Sequence, residues 1–468
     1  MRRIVSTLLP LVVIAAVLLW WRARPPRRLP NVILISIESL RPDHLGAYGG
    51  PRPTTPRLDA FAADAVVYEK AHSVTSWTLA AHASLFTGLY PHAHQAEGPL
   101  DTLGDAYATL AEILRDHGYQ TAGVASGPYL RREFNLTQGF DYYDESPASL
   151  DDRAAHGDVT NPKLLAAIER FLRDARDPRR PLFLFAYFWD PHYDYIPPAP
   201  YNGMFVGPHS TPCDVTNYVV STTITASSPA AELDYVRAQY DGELRWTDDH
   251  LGRLFTLLQE HGLWNDTVVV VTSDHGEEFF EHGTKGHKNN LFIESVHVPL
   301  IVKYESTRAL RGRDRRLTSL VDVMPTILEL VGVAAPGPVH GRSLLQRDPL
   351  PDRAIFFELL SMWFDRAEQT TTRKRWTAVQ QGDLKLIEVA EEGAAAPARL
   401  LFDHAADPIE QDDLLDGRPS DRADDLGARL AEWQQEMRRT REGFAAGGPI
   451  PLTAEQRDQL RALGYLHE

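Results

Sequence analysis

Four polar residues stand where apolar runs of the chain stop. The run Val32 to Ile37 ends in Glu38-Ser39, and Val268 to Thr272, the most β-branched run in the chain, ends in Ser273-Asp274-His275-Gly276. Thr78 precedes a helix-like run of Leu79, Ala80, Ala83, Leu85 and Phe86 that closes at Thr87-Gly88, with a glycine where a helix C-cap wants one. Continuous apolar runs read as strands buried on both faces. The residue after such a strand points into the carboxyl-edge crevice, where open α/β sheets bind ligands. Glu38, Thr78, Asp274 and His275 therefore form one constellation of two carboxylates, a hydroxyl and an imidazole. That donor set favours Zn²⁺ or Mn²⁺ over Ca²⁺, which prefers a larger shell made of oxygens alone. An isolated Thr ahead of a helix is ordinarily a cap, and a lone acid after a strand an ordinary loop acid. It is the company of the other three that argues for chemistry. An alcohol is a poor nucleophile at neutral pH, and a bound metal makes its alkoxide accessible. Thr78 at a helix N-terminus would also have the dipole and free N–H groups beside it to hold a phosphate or sulfate.

These residues need a scaffold, and the pattern supplies one. Helical stretches at Leu58 to Ala65, Thr109 to His117 and Leu164 to Ala175 alternate with the strand-like Thr121 to Ala125 and Pro181 to Phe188. This βα rhythm predicts an α/β three-layer sandwich, with a mostly parallel central sheet and helices on both sides. Pro181 to Phe188 ends in Trp189-Asp190-Pro191-His192, which puts His192 at the same crevice edge. Residues 199–232, rich in Thr, Ser and Pro, read as a surface insertion bordering the cleft. A long helical pattern follows from Leu233 to Gly262. Beyond 353, short strands (Ile355 to Glu358, Trp376 to Gln380, Leu384 to Glu388, Leu400 to Phe402) and a helix from Ala423 to Arg438 predict a small antiparallel subdomain. An Ala/Gly/Pro linker at 444–451 then leads to a terminal helix, Thr453 to Leu463.

Composition narrows the classes. The chain of 468 residues carries a net charge of −16, and its first 28 residues hold six arginines and no acid, so the body is more acidic still. Such a body repels polyanions, which excludes nucleic acid as a partner. With Cys213 the only cysteine, a disulfide within the chain is impossible. The apolar run Ile4 to Trp21, flanked by arginines and followed by no small-x-small cleavage site, predicts a retained membrane anchor or uncleaved signal.

The stretch TSWTLAAHASLFTGLYPHAH (75–94) resembles the signature of the sulfatase family of the alkaline phosphatase superfamily, C-x-P-S-R followed by a spacer and T-G. Thr78 falls on the Cys that sulfatases convert to formylglycine, Ala80 on the Pro, Ala81 on the Ser, His82 on the Arg and Thr87-Gly88 on the T-G. Further segments resemble the family in order: NVILISIESLRPDHLGAYG, FAYFWDPHYDYIPPAPY, VVVVTSDHGEEFFEHGTKGHKNNLFIESVHVPLIV, TSLVDVMPTILELVGV and, in the tail, LLFDHAADPIEQDDLL and LRALGYL. The resemblance implies an alkaline phosphatase-like catalytic domain over 31–350, a C-terminal subdomain over 351–440, a linker and helix over 441–468, and an anchor over 1–28 that leaves the body outside the cytoplasm. It implies one divalent metal held by Glu38, Thr78, Asp274 and His275, a set similar to that of phosphoethanolamine transferases and lipoteichoic acid synthases. It also implies catalytic roles for His192, Lys288 and His287, the last two neutralising charge or protonating the leaving group, and substrate contacts from His82, His192 and Lys288.

One departure sets the expected chemistry. Formylglycine hydrate expels sulfate through its second hydroxyl; a threonine ester has none and must be opened by outside attack. The expected function is thus hydrolysis or transfer of phosphate or phosphodiester groups on a small-molecule, lipid or glycan ester, through a covalent Thr78 intermediate. The alternatives are a sulfatase working without formylglycine, and a non-catalytic binding protein on the same scaffold.

Overall fold

The computed structural model describes residues 29–148, 160–216, 218–305, 310–346, 353–365 and 370–450, with single positions at 453, 454 and 457. The runs read as buried strands become β1 (Asn31–Ile37), β5 (Leu182–Phe188) and β6 (Thr267–Ser273). With β2 (Val66–His72), β3 (Gln120–Ala125), β4 (Tyr142–Asp144), β9 (Leu300–Lys303) and β10 (Gly312–Ser319) they form one sheet in the order β10-β2-β9-β6-β1-β5-β3-β4. A short hairpin, β7 (Glu278–Phe279) and β8 (Lys285–Gly286), stands apart from it. Neighbours in the large sheet run parallel, except that β9 is antiparallel to β2 and β6.

Strand side chains alternate faces, so apolar residues at successive positions feed two cores. Val32, Leu34, Phe183, Phe185, Val268 and Val270 enter one; Ile33, Ile35, Leu184, Ala186, Val269 and Val271 enter the other. Among the helices α1 (Pro56–Ala62), α2 (Thr78–Thr87), α3 (Leu110–Asp116), α4 (Asn161–Asp174), α5 (Ala230–Glu260), α6 (Val323–Val331) and α7 (Asp421–Glu442), α2, α3 and α6 line the first core with Leu79, Leu110 and Ile327. The second receives Leu58, Ile168 and Leu251 from α1, α4 and α5. Register then sets the site: Ile37 pairs with Ser273 and with Phe188, so Glu38 and Asp274 leave adjacent strands side by side.

The C-terminal strands β11 (Ala354–Asp365), β12 (Thr370–Gln381), β13 (Leu384–Glu391) and β14 (Ala398–Asp403) form a separate antiparallel sheet that packs with α7 into the first core. The first two strands are 12 residues long, well beyond the expected Ile355–Glu358 and Trp376–Gln380. Their ladder continues through Thr372 to Arg375, because backbone hydrogen bonds tolerate polar side chains that a hydrophobic pattern does not count as strand.

The membrane expectation is corrected. Among the described residues no helix is long and apolar enough to cross a membrane. The longest, α5, interleaves its apolar stripe with Glu232, Asp234, Arg237, Arg245, Asp249 and Arg253, a pattern for packing on a sheet and not for lipid. The expected anchor at 1–28, and with it a membrane-held body, has no helix here to support it, and that segment lies outside the described residues, as does most of the expected terminal helix at 453–463.

Where the two sheets meet, Glu97 is held by Arg375 at 2.7 Å and by His92 at 3.2 Å, while Glu358 accepts the backbone N–H of His92. Burial and the charge of Glu97 push the Glu358 carboxyl up to about 8. An acid whose folded pKa exceeds its unfolded one is held protonated by the fold, so stability falls as pH rises from the ordinary Glu range towards that value. Glu358→Gln is expected to raise the unfolding midpoint at pH 8 by roughly 2–4 °C and to leave it nearly unchanged at pH 5, as read by thermal melts at both pH values.

Candidate active site

The chain turns sharply after β1. Ser39 adopts a φ of 51°, a left-handed conformation that a non-glycine residue holds only when its surroundings fix it. The turn aims Ser39 N–H at Asp274 Oδ1 (3.3 Å) and lets Ser39 Oγ donate to Glu38 Oε1 (2.9 Å). Thr78 arrives from the other side as the first residue of α2, behind an extended Trp77. Its Oγ1 lies 3.2 Å from His275 Nε2 and 3.4 Å from Glu38 Oε2. Glu38, Thr78, Asp274 and His275 are therefore one buried cluster.

The cluster has the electrostatics of a cation site. Burial opposes charge on Glu38, yet His275 at 3.0 Å holds its carboxyl well below the usual range. Asp274 is pushed well above its own, by burial and by the charge of Glu38. Burial also opposes a charge on His275, but Asp274 and Glu38 overcome it and lift the imidazole to about 10. Asp274 Oδ2, fully buried, makes no hydrogen bond among the described residues. A divalent ion bound in this buried pocket would let both carboxylates be ionised together, which the imidazole of His275 alone does not.

The histidines are pre-set to receive such an ion. His275 Nδ1 donates to the Gly276 carbonyl at 2.8 Å, leaving Nε2 to face the carboxylates. His287 Nδ1 donates to Glu277 at 3.2 Å, and its buried Nε2 has no hydrogen-bond partner among the described residues. Donor atoms of Glu38, His275 and His287 lie within 4.8 Å of one another. A carboxylate or carbonyl behind each ring is the outer-shell arrangement that orients metal-binding histidines. The structure thus groups His287 with the candidate donors, a role that its position beside Lys288 in the sequence did not suggest.

The remaining expected residues surround this centre. His192 follows β5 with its ring stacked on Trp189 (3.8 Å between centroids), 5.3 Å from the ring of His287. Its Nδ1 donates to the Tyr193 carbonyl, and burial draws its pKa down to about 3. Lys288 places Nζ 4.2 Å over the Trp77 ring, and burial draws it down to about 7. His82 faces inward: Nδ1 donates to the Thr78 carbonyl (2.8 Å), Nε2 pairs with Ser36 Oγ (3.0 Å), and burial lowers it to about 4. It braces the first turn of α2 from within. The insertion is less superficial than its composition suggests, since Tyr218 and Ile224 are buried and Lys285 Nζ donates to the Ser221 and Ile224 carbonyls, both at 2.8 Å.

Sequence reasoning missed three neighbours. Tyr187 donates its hydroxyl to Glu38 Oε2 from the penultimate position of β5, Glu277 backs His287, and Trp77 floors Lys288. Glu277 sits in the quoted SDHGEEF stretch; nothing in the spacing of Tyr187 or Trp77 marks them.

The family model described as Sulfatase matches residues 30–333, about two thirds of the chain. The chain belongs to the sulfatase family. A second model of that family's proteins, N-sulphoglucosamine sulphohydrolase, C-terminal, matches residues 281–439. Family membership makes it an ester-hydrolysing enzyme of a class that uses a divalent metal. The multifunctional alkaline phosphatase superfamily protein PehA of Trinickia caryophylli is 26% identical over 474 residues, covering 82% of this chain and 91% of that protein. The ulvan-active sulfatase of Formosa agariphila is 26% identical over 418 residues, covering 83% and 78%. In fold, the phosphonate monoester hydrolase of Agrobacterium radiobacter superposes with a TM-score of 0.65 at 22% identity, covering 89% of this chain and 96% of that one. A protein solved with its substrate D-glucosamine-2-N,6-O-disulfate gives 0.70 at 19% identity, covering 88% and 99%.

Because Tyr187 holds Glu38 from behind, Tyr187→Phe is expected to weaken Zn²⁺ or Mn²⁺ binding by about 10–100-fold without unfolding the protein. Isothermal titration of chelator-treated protein, with thermal melts alongside, checks this.

Proposed function

We propose that the chain is a metal-dependent hydrolase of phosphodiesters or phosphonate monoesters that works through a covalent ester on Thr78. The observation that carries this reading is the threonine oxygen itself, at the N-terminus of α2 and within 3.4 Å of both His275 and Glu38. The likeness to PehA and to the phosphonate monoester hydrolase fold supports it. Glu38, Asp274, His275 and His287 would hold the ion, with Thr78 against it. Their mix of carboxylate oxygen and imidazole nitrogen favours Zn²⁺ or Mn²⁺ over Ca²⁺. When bound, the metal would lower the pKa of the hydroxyl and offset charge on the transferred group.

The chain's own residues do the rest in this proposal. The N-terminal N–H groups of α2 orient the anion, and Thr78 Oγ forms the new bond to phosphorus as the leaving oxygen departs in line. Lys288 sets a cation beside that leaving oxygen, over the Trp77 face. His192, with Nδ1 committed to a carbonyl and its ring stacked on Trp189, stands beside His287 as a neutral group that would orient the water that then opens the Thr78 ester. Phosphorus is preferred to sulfur because a threonine ester has no second hydroxyl with which to expel sulfate. Sulfate esters are the second reading, favoured by the family model and the ulvan-active relative.

Thr78→Ala is expected to lower kcat on an aryl phosphodiester by at least about 10³-fold, while Thr78→Ser keeps a measurable part of it. Intact-protein mass spectrometry after a rapid acid quench should find a phosphoryl adduct that maps to Thr78. Wild-type rates for an aryl sulfate above those for the diester would reverse the preference, and full activity in Thr78→Ala would end the covalent account.

A further inference from the structure

His287 and Lys288 stand on a loop running from Glu281 to Ile293 and interrupted only by the two-residue β8. From β7, just ahead of the loop, Glu278 gathers His282 N–H, Thr284 N–H and Asn290 Nδ2, at 3.0, 2.8 and 2.6 Å. Both bases of the loop are gripped from outside by the C-terminal sheet and the turn after β14. At the entry, Gln411 Nε2 donates to the Glu281 carbonyl (3.1 Å), and His282 Nε2 donates to the Glu410 carbonyl (2.7 Å). At the exit, Lys385 Nζ donates to the Leu291 carbonyl, and Ile293 N–H donates to Glu410 Oε2, both at 2.7 Å.

Glu410 and Lys385 join these two grips. Lys385 Nζ lies 2.9 Å from Glu410 Oε1, which also takes His404 Nε2 at 2.6 Å, and both paired side chains are wholly buried. Glu410 holds a φ of 56° to make all four contacts. A buried ion pair contributes little net stability compared with apolar residues of the same volume, and left-handed backbone outside glycine costs free energy. What the arrangement achieves is geometric, since the contacts that Glu410 and Lys385 make with the catalytic domain's 281–293 segment fall at both ends of a single loop.

We propose that Glu410 and Lys385 are positioning residues, through which the C-terminal sheet sets His287 and Lys288 against Thr78. This rests on the roles given above to His287 and Lys288. The C-terminal subdomain is on this account part of the reacting centre's frame, although it adds no group that touches substrate.

The test compares the full-length wild type with Glu410→Gln and with the apolar pair Lys385→Met/Glu410→Leu. Hydrogen exchange of peptides covering 281–293 should quicken at least about tenfold in both variants, with β12 and β13 still protected. On aryl phosphodiesters kcat should fall by about 10²-fold, more for phenol than for p-nitrophenol as leaving group, with KM little changed. The apolar pair should recover the wild-type unfolding midpoint and stay slow. Recovery of kcat by that pair, equal loss of protection across β12 and β13, or an unchanged loop in both variants would overturn the proposal. Should the wild type turn over no ester, the proposed function falls, and the exchange measurement still decides the positioning role.

Discussion

Two carboxylates, Glu38 and Asp274, leave adjacent parallel strands at the same level, and both are buried. Like charges this close in a medium of low dielectric raise each other's proton affinity steeply. The direction of the Asp274 shift and the lift of His275 to about 10 express that constraint in the protein alone. A cation resolves it, and most of the surrounding structure makes sense as support for one: Tyr187 behind Glu38, Gly276 behind His275, Glu277 behind His287.

Thr78, the nucleophile in the proposed reaction, is placed by a helix and not by a loop. Thr78 belongs to the first turn of α2, whose C-terminus is stopped by Gly88 at a φ of 67° and whose whole length is buried in the core below the sheet. His82, one turn further on, ties the Thr78 carbonyl to Ser36 of β1. The oxygen is thereby registered to the strand that delivers Glu38. For the proposed reaction such rigid placement matters, because an error of an ångström between nucleophile and anion removes much of the advantage of holding them together.

The residues opposite Thr78 reach the site differently. His287 and Lys288 are carried by a loop whose ends are fastened to a second sheet, so the site's two halves are built on two separate hydrogen-bonded frameworks. The seam between those frameworks contains Glu358, Glu97 and Arg375 as well as the Lys385–Glu410 pair. Polar pairing of this kind in a buried seam specifies one relative arrangement more sharply than apolar contact does.

Much of this was readable in the chain. Largely apolar runs identify β1, β5 and β6, because a strand covered on both faces admits few polar residues, each with a buried partner as Ser36 has in His82, and the residues that end such runs lie at the sheet edge. That reasoning places Glu38, Asp274, His275 and His192 by local pattern alone, and the composition of the 75–94 stretch adds Thr78. It does not reach Tyr187, Trp77 or Glu410, whose roles depend on partners 149, 211 and 117 residues away in sequence (Trp77 lies beneath Lys288). Nor could spacing assign His287 to the cation donors, since its ring direction is set by Glu277 and by how the loop is fastened. What the sequence by itself determined is which residues leave the sheet at its reactive edge, because hydrophobic periodicity is a property of single segments. Which of those residues come together in one buried cluster, and what holds them there, was decided by tertiary structure, because charge balance and hydrogen-bond geometry in a buried pocket depend on every segment that closes it.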